Sequence, residues 1–246
     1  MAGVRIEGSD LAPRRALVFG AGGGVGGALV RSLAAQGYAV TALARRPPTD
    51  LPAVWTPADI EDEASLAAAA AALAVGPPIT RVFVATGLLH AEGLMPERSL
   101  AALNADQMLR LFAVNAVGPA LVAKHFLPLL PRQGRSVFAA LSARVGSISD
   151  NRLGGWHSYR ASKAALNMLI KNASIELART RPDAVIVGLH PGTVDTGLSK
   201  PFQRGVAQDK LFTPEYCAER LIAVTDGLTR GDTGHVFAWD GARVPE

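Results

Sequence analysis

Two side chains able to move a proton together stand four residues apart in Tyr159-Arg160-Ala161-Ser162-Lys163, at the start of a helix-patterned run. Residues at i and i+4 share one helical face, about one turn apart. A phenol with a pKa of about 10 is a poor acid or base at neutral pH, and a neighbouring ammonium favours the phenolate and lowers that value. Tyr159 could then exchange a proton with a substrate oxygen. The same spacing arises by chance on amphipathic helices, so the pair takes its meaning from what else the chain supplies.

A second chemical feature lies near the start. The apolar run 16–19 ends in Gly20-Ala21-Gly22-Gly23-Gly24-Val25-Gly26-Gly27, and Leu29, Val30, Leu33 and Ala34 follow at helical spacing. This reads as strand, glycine turn, helix. Glycines let the backbone turn tightly against a pyrophosphate, whose charge the helix N-terminus stabilises through free N–H groups. A P-loop would need Lys and Ser or Thr after its last glycine, and this chain has Gly27 and Ala28. At the end of the next strand, 39–43, an acid would bind the ribose hydroxyls of NAD, whereas arginine accepts the 2′-phosphate of NADP. Here Arg45 and Arg46 stand with no carboxylate beside them, so NADP is expected over NAD.

The elements that must position these groups alternate along the chain. Further strands are expected at 53–56, 81–85, 135–141, 184–189 and 235–239, and helices at 62–73, from Asn104 to about 129, from Tyr159 to about 179, and from Thr213-Pro214 to about 226. Asn104 and Gln107 form a candidate capping pair. Pro119 should kink the long apolar helix, and Asn115, just before it, could bond freed carbonyls or a water. The stretch 197–212 has no clear period and is expected to be a mobile flap over a substrate pocket. With no internal repeat and no linker, the pattern predicts a single α/β domain over 1–246. It is a Rossmann-type, doubly wound parallel sheet of about seven strands, helix-covered on both faces, with residues 1–15 as a flexible extension.

Composition limits the alternatives. The single cysteine, Cys217, excludes an internal disulfide or a cysteine metal cluster, and the five histidines show no paired metal-ligand spacing, so no metal is expected. His157 and His90 are expected near the pocket. The net charge of +4 comes from scattered residues, and a phosphate-bearing ligand accounts for Arg45-Arg46 more economically than nucleic acid does. Residues 1–15 lack the apolar core of an export signal, and Asn115, Lys124 and His125 interrupt the apolar stretch 111–131. A cytoplasmic protein without nucleic-acid or membrane partners is expected.

Taken together these residues resemble the short-chain dehydrogenase/reductase family over nearly the whole chain. The resemblance rests on the loop Gly20-x-x-x-Gly24-x-Gly26, Asp59, Gly87, Asn115, a serine after strand five, Tyr159-x-x-x-Lys163 and Pro191-Gly192, in family order. The phrases 142–148, Asp150-Asn151 and Gly154-Gly155 are similar to the branch holding C-factor signalling proteins and related carbonyl reductases. The resemblance implies that Gly20, Gly22, Gly24, Val25 and Gly26 hold the pyrophosphate of NADP, Arg45 and Arg46 its 2′-phosphate, and Asp59 and Ile60 the adenine. Thr86 and Gly87 would meet the nearby ribose, and Pro191, Gly192, Thr193, Val194 and Thr196 the nicotinamide end. Lys163 would bond the nicotinamide ribose and lower the pKa of Tyr159, the general acid in reduction and base in oxidation of a small carbonyl or alcohol. Asn115 would hold a water for proton relay, and a homodimer or homotetramer is implied.

Three positions depart from the family pattern: Phe19 replaces a threonine, Val84-Ala85-Thr86-Gly87 replaces Asn-Asn-Ala-Gly, and Ala143 occupies the usual serine position. Ser142 or Ser147 could supply the missing hydroxyl, and Ser142 is the preferred candidate. A signalling protein that binds cofactor with little turnover is the first alternative reading, and a family enzyme such as an epimerase or dehydratase, which does not release oxidised cofactor, is the second.

Overall fold

The computed structural model describes residues 14–246. Of the expected N-terminal extension, 1–13 lie outside the described residues, and Arg15 already belongs to a strand. The chain runs β1 (Arg15–Phe19), α1 (Gly24–Ala35), β2 (Ala39–Ala44), β3 (Val54–Pro57), α2 (Glu63–Leu73), β4 (Ile79–Val84) and α3 (Ala105–Phe112). A π-helical turn (Ala113–Val117), α4 (Gly118–Phe126), β5 (Ser136–Leu141), α5 (His157–Leu177) and β6 (Ala184–His190) follow. The last elements are β7 (Thr193–Val194), β8 (Leu211–Phe212), α6 (Pro214–Gly227) and β9 (Val236–Ala238).

Seven strands form one parallel sheet in the order β3-β2-β1-β4-β5-β6-β9. Side chains alternate across it. Ala16 and Val18 pack with Leu29 and Leu33 of α1 and Leu221 of α6, while Leu17 and Phe19 face Leu66 of α2, Phe126 of α4 and Leu166 of α5. Both faces are covered, which is why the strands read as apolar runs. The strand order reverses between β1 and β4, so a crevice opens beyond their C-terminal ends, where open α/β sheets bind ligands.

Local signals act as their chemistry predicts. Thr213 caps α6, its Oγ1 accepting from the Tyr216 N–H at 3.2 Å, with Pro214 following. Asn104 caps α3 through the Gln107 N–H at 3.0 Å, but the Gln107 amide donates to the Gly93 carbonyl instead of closing a reciprocal box. The long helix breaks differently from expectation. Pro119 has no N–H to give the Asn115 carbonyl, and the chain answers with a wider π turn ahead of the proline, where the Gly118 N–H reaches the Ala113 carbonyl. The stretch 105–129 is long and apolar enough to cross a membrane, and half of its most apolar window is buried in the protein.

The segment 197–212, expected as a flap, carries short elements that leave no period in the sequence. It holds short 3-10 turns at Lys200–Phe202 and Gln208–Lys210 and ends in β8, which pairs with β7. Two-residue strands are too short to leave an alternating pattern.

Candidate active site

A cavity of about 630 Å3 opens at the C-terminal ends of β1, β4, β5 and β6. One end is the glycine turn. Gly20 has φ +74° and donates its N–H to the Leu43 carbonyl at 2.9 Å, which sets the turn beside the end of β2. A Cβ on Gly26 would lie 2.1 Å from the Gly20 carbonyl oxygen, and one on Gly24 would lie 2.7 Å from Thr196. Gly22, in contrast, faces open space. The turn is therefore closed against the protein and bare toward the cavity, as close approach of a pyrophosphate to backbone N–H groups requires.

Of the candidate residues, Gly22, Gly24, Val25, Thr86, Gly87, Ser142, Tyr159, Lys163, Pro191, Gly192, Thr193, Val194 and Thr196 line this cavity. Gly20 and Gly26 lie within the turn behind it. Arg45 and Arg46 follow β2 as exposed residues, and neither guanidinium has a hydrogen-bond or ion-pair partner among the described residues. Asp59 is half-buried after β3, its Oδ1 accepting from the Glu61 N–H at 3.1 Å. Ile60 is buried against Gly118, where a Cβ would come within 2.9 Å of its side chain. Thr86 Oγ1 and His190 Nδ1 are buried without a hydrogen-bond partner among the described residues. Such orphans are uncommon in native proteins, and Thr86 on the cavity wall suits a dinucleotide able to satisfy it.

Tyr159 and Lys163 occupy successive turns of α5, both buried, with Lys163 Nζ 5.9 Å from the Tyr159 ring centre. Nζ donates to the Leu141 carbonyl at the end of β5 at 2.7 Å. Gly146 permits this seat, since a Cβ there would meet the Lys163 backbone at 2.9 Å. Burial pushes the Tyr159 phenol up to about 12 and likewise pushes Lys163 down to about 7, so in the protein alone desolvation opposes the lowering of the Tyr159 pKa that the lysine is expected to bring.

Asn115 is fully buried behind Gly87. Its Oδ1 accepts from the Leu88 N–H at 2.8 Å, and its Nδ2 donates to the Leu88 carbonyl at 2.8 Å and to Ser162 Oγ at 3.1 Å. The side chain thus ties the loop after β4 to α5 and does not bond carbonyls of its own helix.

Both serine hydroxyls already have partners within the protein. Ser142 lies on the cavity wall, but its hydroxyl donates to Asn167 Oδ1 at 2.6 Å, one turn beyond Lys163 on α5. Ser147 is buried off the wall and accepts from the Asp150 N–H at 3.1 Å. The residue packed in one apolar cluster with Tyr159 is Ala143. A one-residue offset at the end of a strand sends the side chain to the other side, which is why Ser142 cannot simply replace residue 143.

The sequence reading misses an aromatic wall. Trp156 and Phe202 line the cavity with ring centres 5.1 Å apart, Trp156 stands 6.2 Å from Tyr159, and His90 contacts Phe202 at 5.7 Å. His90 also bonds the Gly197 carbonyl at 3.0 Å, so it steadies 197–202 from behind the wall, and neither His90 nor His157 lines the cavity itself. Trp156 has φ +51°, after Gly154 at +62° and Gly155 at +63°. A bulky residue in this left-handed region is an outlier costing about 1–3 kcal/mol, and such strain tends to cluster at functional sites.

Glu97 holds it there. Its carbonyl accepts from the Trp156 N–H at 2.5 Å, and its carboxylate accepts from the Ser158 N–H at 3.2 Å and from the Ser158 hydroxyl. Burial opposes the charge of Glu97, but the Ser158 bonds prevail and hold its carboxyl below the usual value. At the rim Arg144 Nε pairs with Asp150 Oδ2 at 2.6 Å, and burial pushes His190 down to about 4, with Arg144 adding to the shift.

The chain matches the short chain dehydrogenase family model over residues 14–207. It is 34% identical over 230 residues to a 1-hydroxy-2-glutathionyl-2-methyl-3-butene dehydrogenase of Rhodococcus sp. (strain AD45), covering 92% of this chain and 96% of that protein. It is 37% identical over 139 residues to the C-signal protein of Myxococcus xanthus, covering 56% of this chain and 78% of the other. Among solved structures, an NADPH-bound carbonyl reductase from chicken fatty liver superposes with a TM-score of 0.82 at 26% identity, covering 96% of this chain and all 100% of that one. A family model spanning most of the chain, a relative aligned along nearly its full length, and the glycine turn and Tyr159–Lys163 pair agree: this chain belongs to the short-chain dehydrogenase/reductase family of oxidoreductases.

Proposed function

We propose that the chain is an NADP(H)-dependent oxidoreductase that interconverts a carbonyl compound and a secondary alcohol, with Tyr159 as the general acid/base. The observation that carries this reading is the opening of one cavity onto both the bare glycine turn and the buried Tyr159–Lys163 pair. A nicotinamide dinucleotide held along the turn supplies the hydride. Tyr159 gives its phenolic proton to the carbonyl oxygen in reduction and takes it back in oxidation. Lys163, anchored on the Leu141 carbonyl, has two further N–H or lone-pair positions for a ribose hydroxyl and the proton path. Asn115 keeps the loop after β4 in register with α5 and lies within the π turn, where a relay water can bond a freed carbonyl. No serine supports Tyr159 directly, and Ser142 acts on Asn167.

Arg45 and Arg46, exposed beside the glycine turn with no acid to repel a phosphate, favour NADP(H), in keeping with the NADPH held by the chicken carbonyl reductase. The named activity of the Rhodococcus relative on a hydroxy compound supports the alcohol/carbonyl assignment. Exposed Val117, Met168 and Ile175 on the helices around the site suit a homodimer or homotetramer. A screen of aldehydes and ketones followed by NADPH absorbance, with NADH in parallel, tests the reading. The likeness to C-signal supports a second reading, a cofactor-binding signalling protein, which the same screen separates: NADPH binding without turnover on any carbonyl favours it.

A further inference from the structure

We propose that Trp156, locked in its left-handed backbone by Glu97, is the specificity-determining residue of the site, and that with Phe202 it forms a wall for the flat, conjugated body of the carbonyl substrate. The inference rests on the oxidoreductase reading only for the word substrate, since the wall itself is a binding surface.

Three observations converge. Trp156 adopts a conformation that glycine would adopt without strain, directly after two glycines with the same sign of φ, yet the chain places there its largest side chain. The clamp is specific. Glu97, 4% exposed, spends its carbonyl on Trp156 and its carboxylate on Ser158, while Arg160 Nε donates to the Gly155 carbonyl at 3.0 Å from the other side. The indole so placed joins Leu89, Ala143, Val145 and Phe202 in one apolar cluster around Tyr159. Aromatic faces and edges favour another π-system over an alkyl chain of equal size. At this end of the cavity Arg144 is already paired with Asp150, Lys163 is anchored on the Leu141 carbonyl, and burial pushes His190 down to about 4, so little is left free to attract a carboxylate or phosphate on the substrate.

The test is calorimetric titration of acetophenone and of 2-octanone, ketones of equal carbon number, into the NADP+-saturated protein and into the protein alone. The wild type should bind acetophenone about tenfold more tightly, although 2-octanone is the more apolar of the two. Trp156→Ala should reduce the difference to about twofold or less, Trp156→Phe should keep most of it, and Glu97→Ala should weaken acetophenone binding with little change for 2-octanone. Should Trp156→Ala fail to fold, Phe202→Ala on the same wall should show the same loss of preference. Equal affinities in the wild type, or a preference that survives both alanine variants, overturns the proposal. Because titration needs no turnover, an aryl preference in a protein that never oxidises NADPH removes the oxidoreductase reading and leaves the wall, whereas turnover without an aryl preference does the reverse.

Discussion

The Ser142 hydroxyl donates its hydrogen to Asn167 Oδ1 at 2.6 Å, while Ala143, the next residue, packs in the apolar cluster that holds Tyr159. Two turns of α5, about 12 Å of helix axis, separate the Cα atoms of Tyr159 and Asn167. Ser142→Ala should therefore cost less than about tenfold in kcat/KM, whereas loss of a donor to the reacting oxygen costs about 10²–10³. Asn167→Ala should reproduce the small effect, and the double variant should add little, because both break one bond. Steady-state kinetics of the three variants decide this, and a loss of about 10² in Ser142→Ala alone would restore the serine to the reacting centre.

The opposite shifts of Lys163 and Tyr159 make stability depend on pH in two windows. Lys163 falls from 10.5 to about 7, so between these values the unfolded chain binds more protons and stability rises with pH. Tyr159 rises from 10.0 to about 12, so above pH 10 the folded chain keeps the extra proton and this contribution falls as pH rises. Urea unfolding from pH 7 to 10 should show the first slope in the wild type and a flatter curve in Lys163→Met. Identical slopes would show that Lys163 is fully charged in the folded protein.

The same raised phenol sets the pH dependence of turnover. Carbonyl reduction needs the protonated phenol, which is the main form across the neutral range, so kcat/KM for reduction should be nearly flat from about pH 6 to 8. Alcohol oxidation needs the phenolate and should rise with pH over the same range. Paired profiles in the two directions check this, and an oxidation rate independent of pH would remove Tyr159 as the titrating base.

Arg45 and Arg46 should govern the choice of cofactor. Arg45→Asp, which places an acid beside the 2′-phosphate, should weaken NADPH binding by about 10² while changing NADH little, since a charge-assisted contact is lost and a repulsion gained. Fluorescence titration of both cofactors measures it, and equal effects would leave the arginines as surface charges.

Gly26→Ala should damage cofactor binding and folding together. Its Cβ would fall 2.1 Å from the Gly20 carbonyl oxygen, a backbone atom that cannot step aside without opening the turn. Gly22→Ala has free space and should keep wild-type thermal stability while weakening NADPH by steric contact, a split visible in paired melting and binding curves.

The fold, and the placing of the glycine turn and of the Tyr159–Lys163 pair on one cavity, are legible in the sequence because short-range spacing encodes them. The Gly20 turn sits between an apolar run and a helical one, and Tyr159 and Lys163 are one turn apart whatever the rest of the chain does. What sequence patterns leave out arises where distant segments meet. Glu97 clamps Ser158 across 61 residues, and nothing in a local pattern marks a loop glutamate as the anchor of a strained tryptophan. Trp156, directly after Gly154-Gly155 and three residues before Tyr159, is the one local hint. The pKa shift of Tyr159 runs opposite to the lysine argument because burial is a tertiary property, and Ser142 faces Asn167 because a strand end alternates sides.

The most direct test of the account is Tyr159→Phe, assayed for NADPH oxidation with a reducible carbonyl and, separately, for NADPH binding. The phenyl ring keeps the packing against Ala143 and Trp156 and removes only the proton-bearing oxygen. The account predicts cofactor affinity within about twofold of the wild type and turnover lower by about 10² or more, since general acid catalysis contributes 10²–10⁴. Turnover equal to the wild type with affinity intact would contradict the assignment of Tyr159.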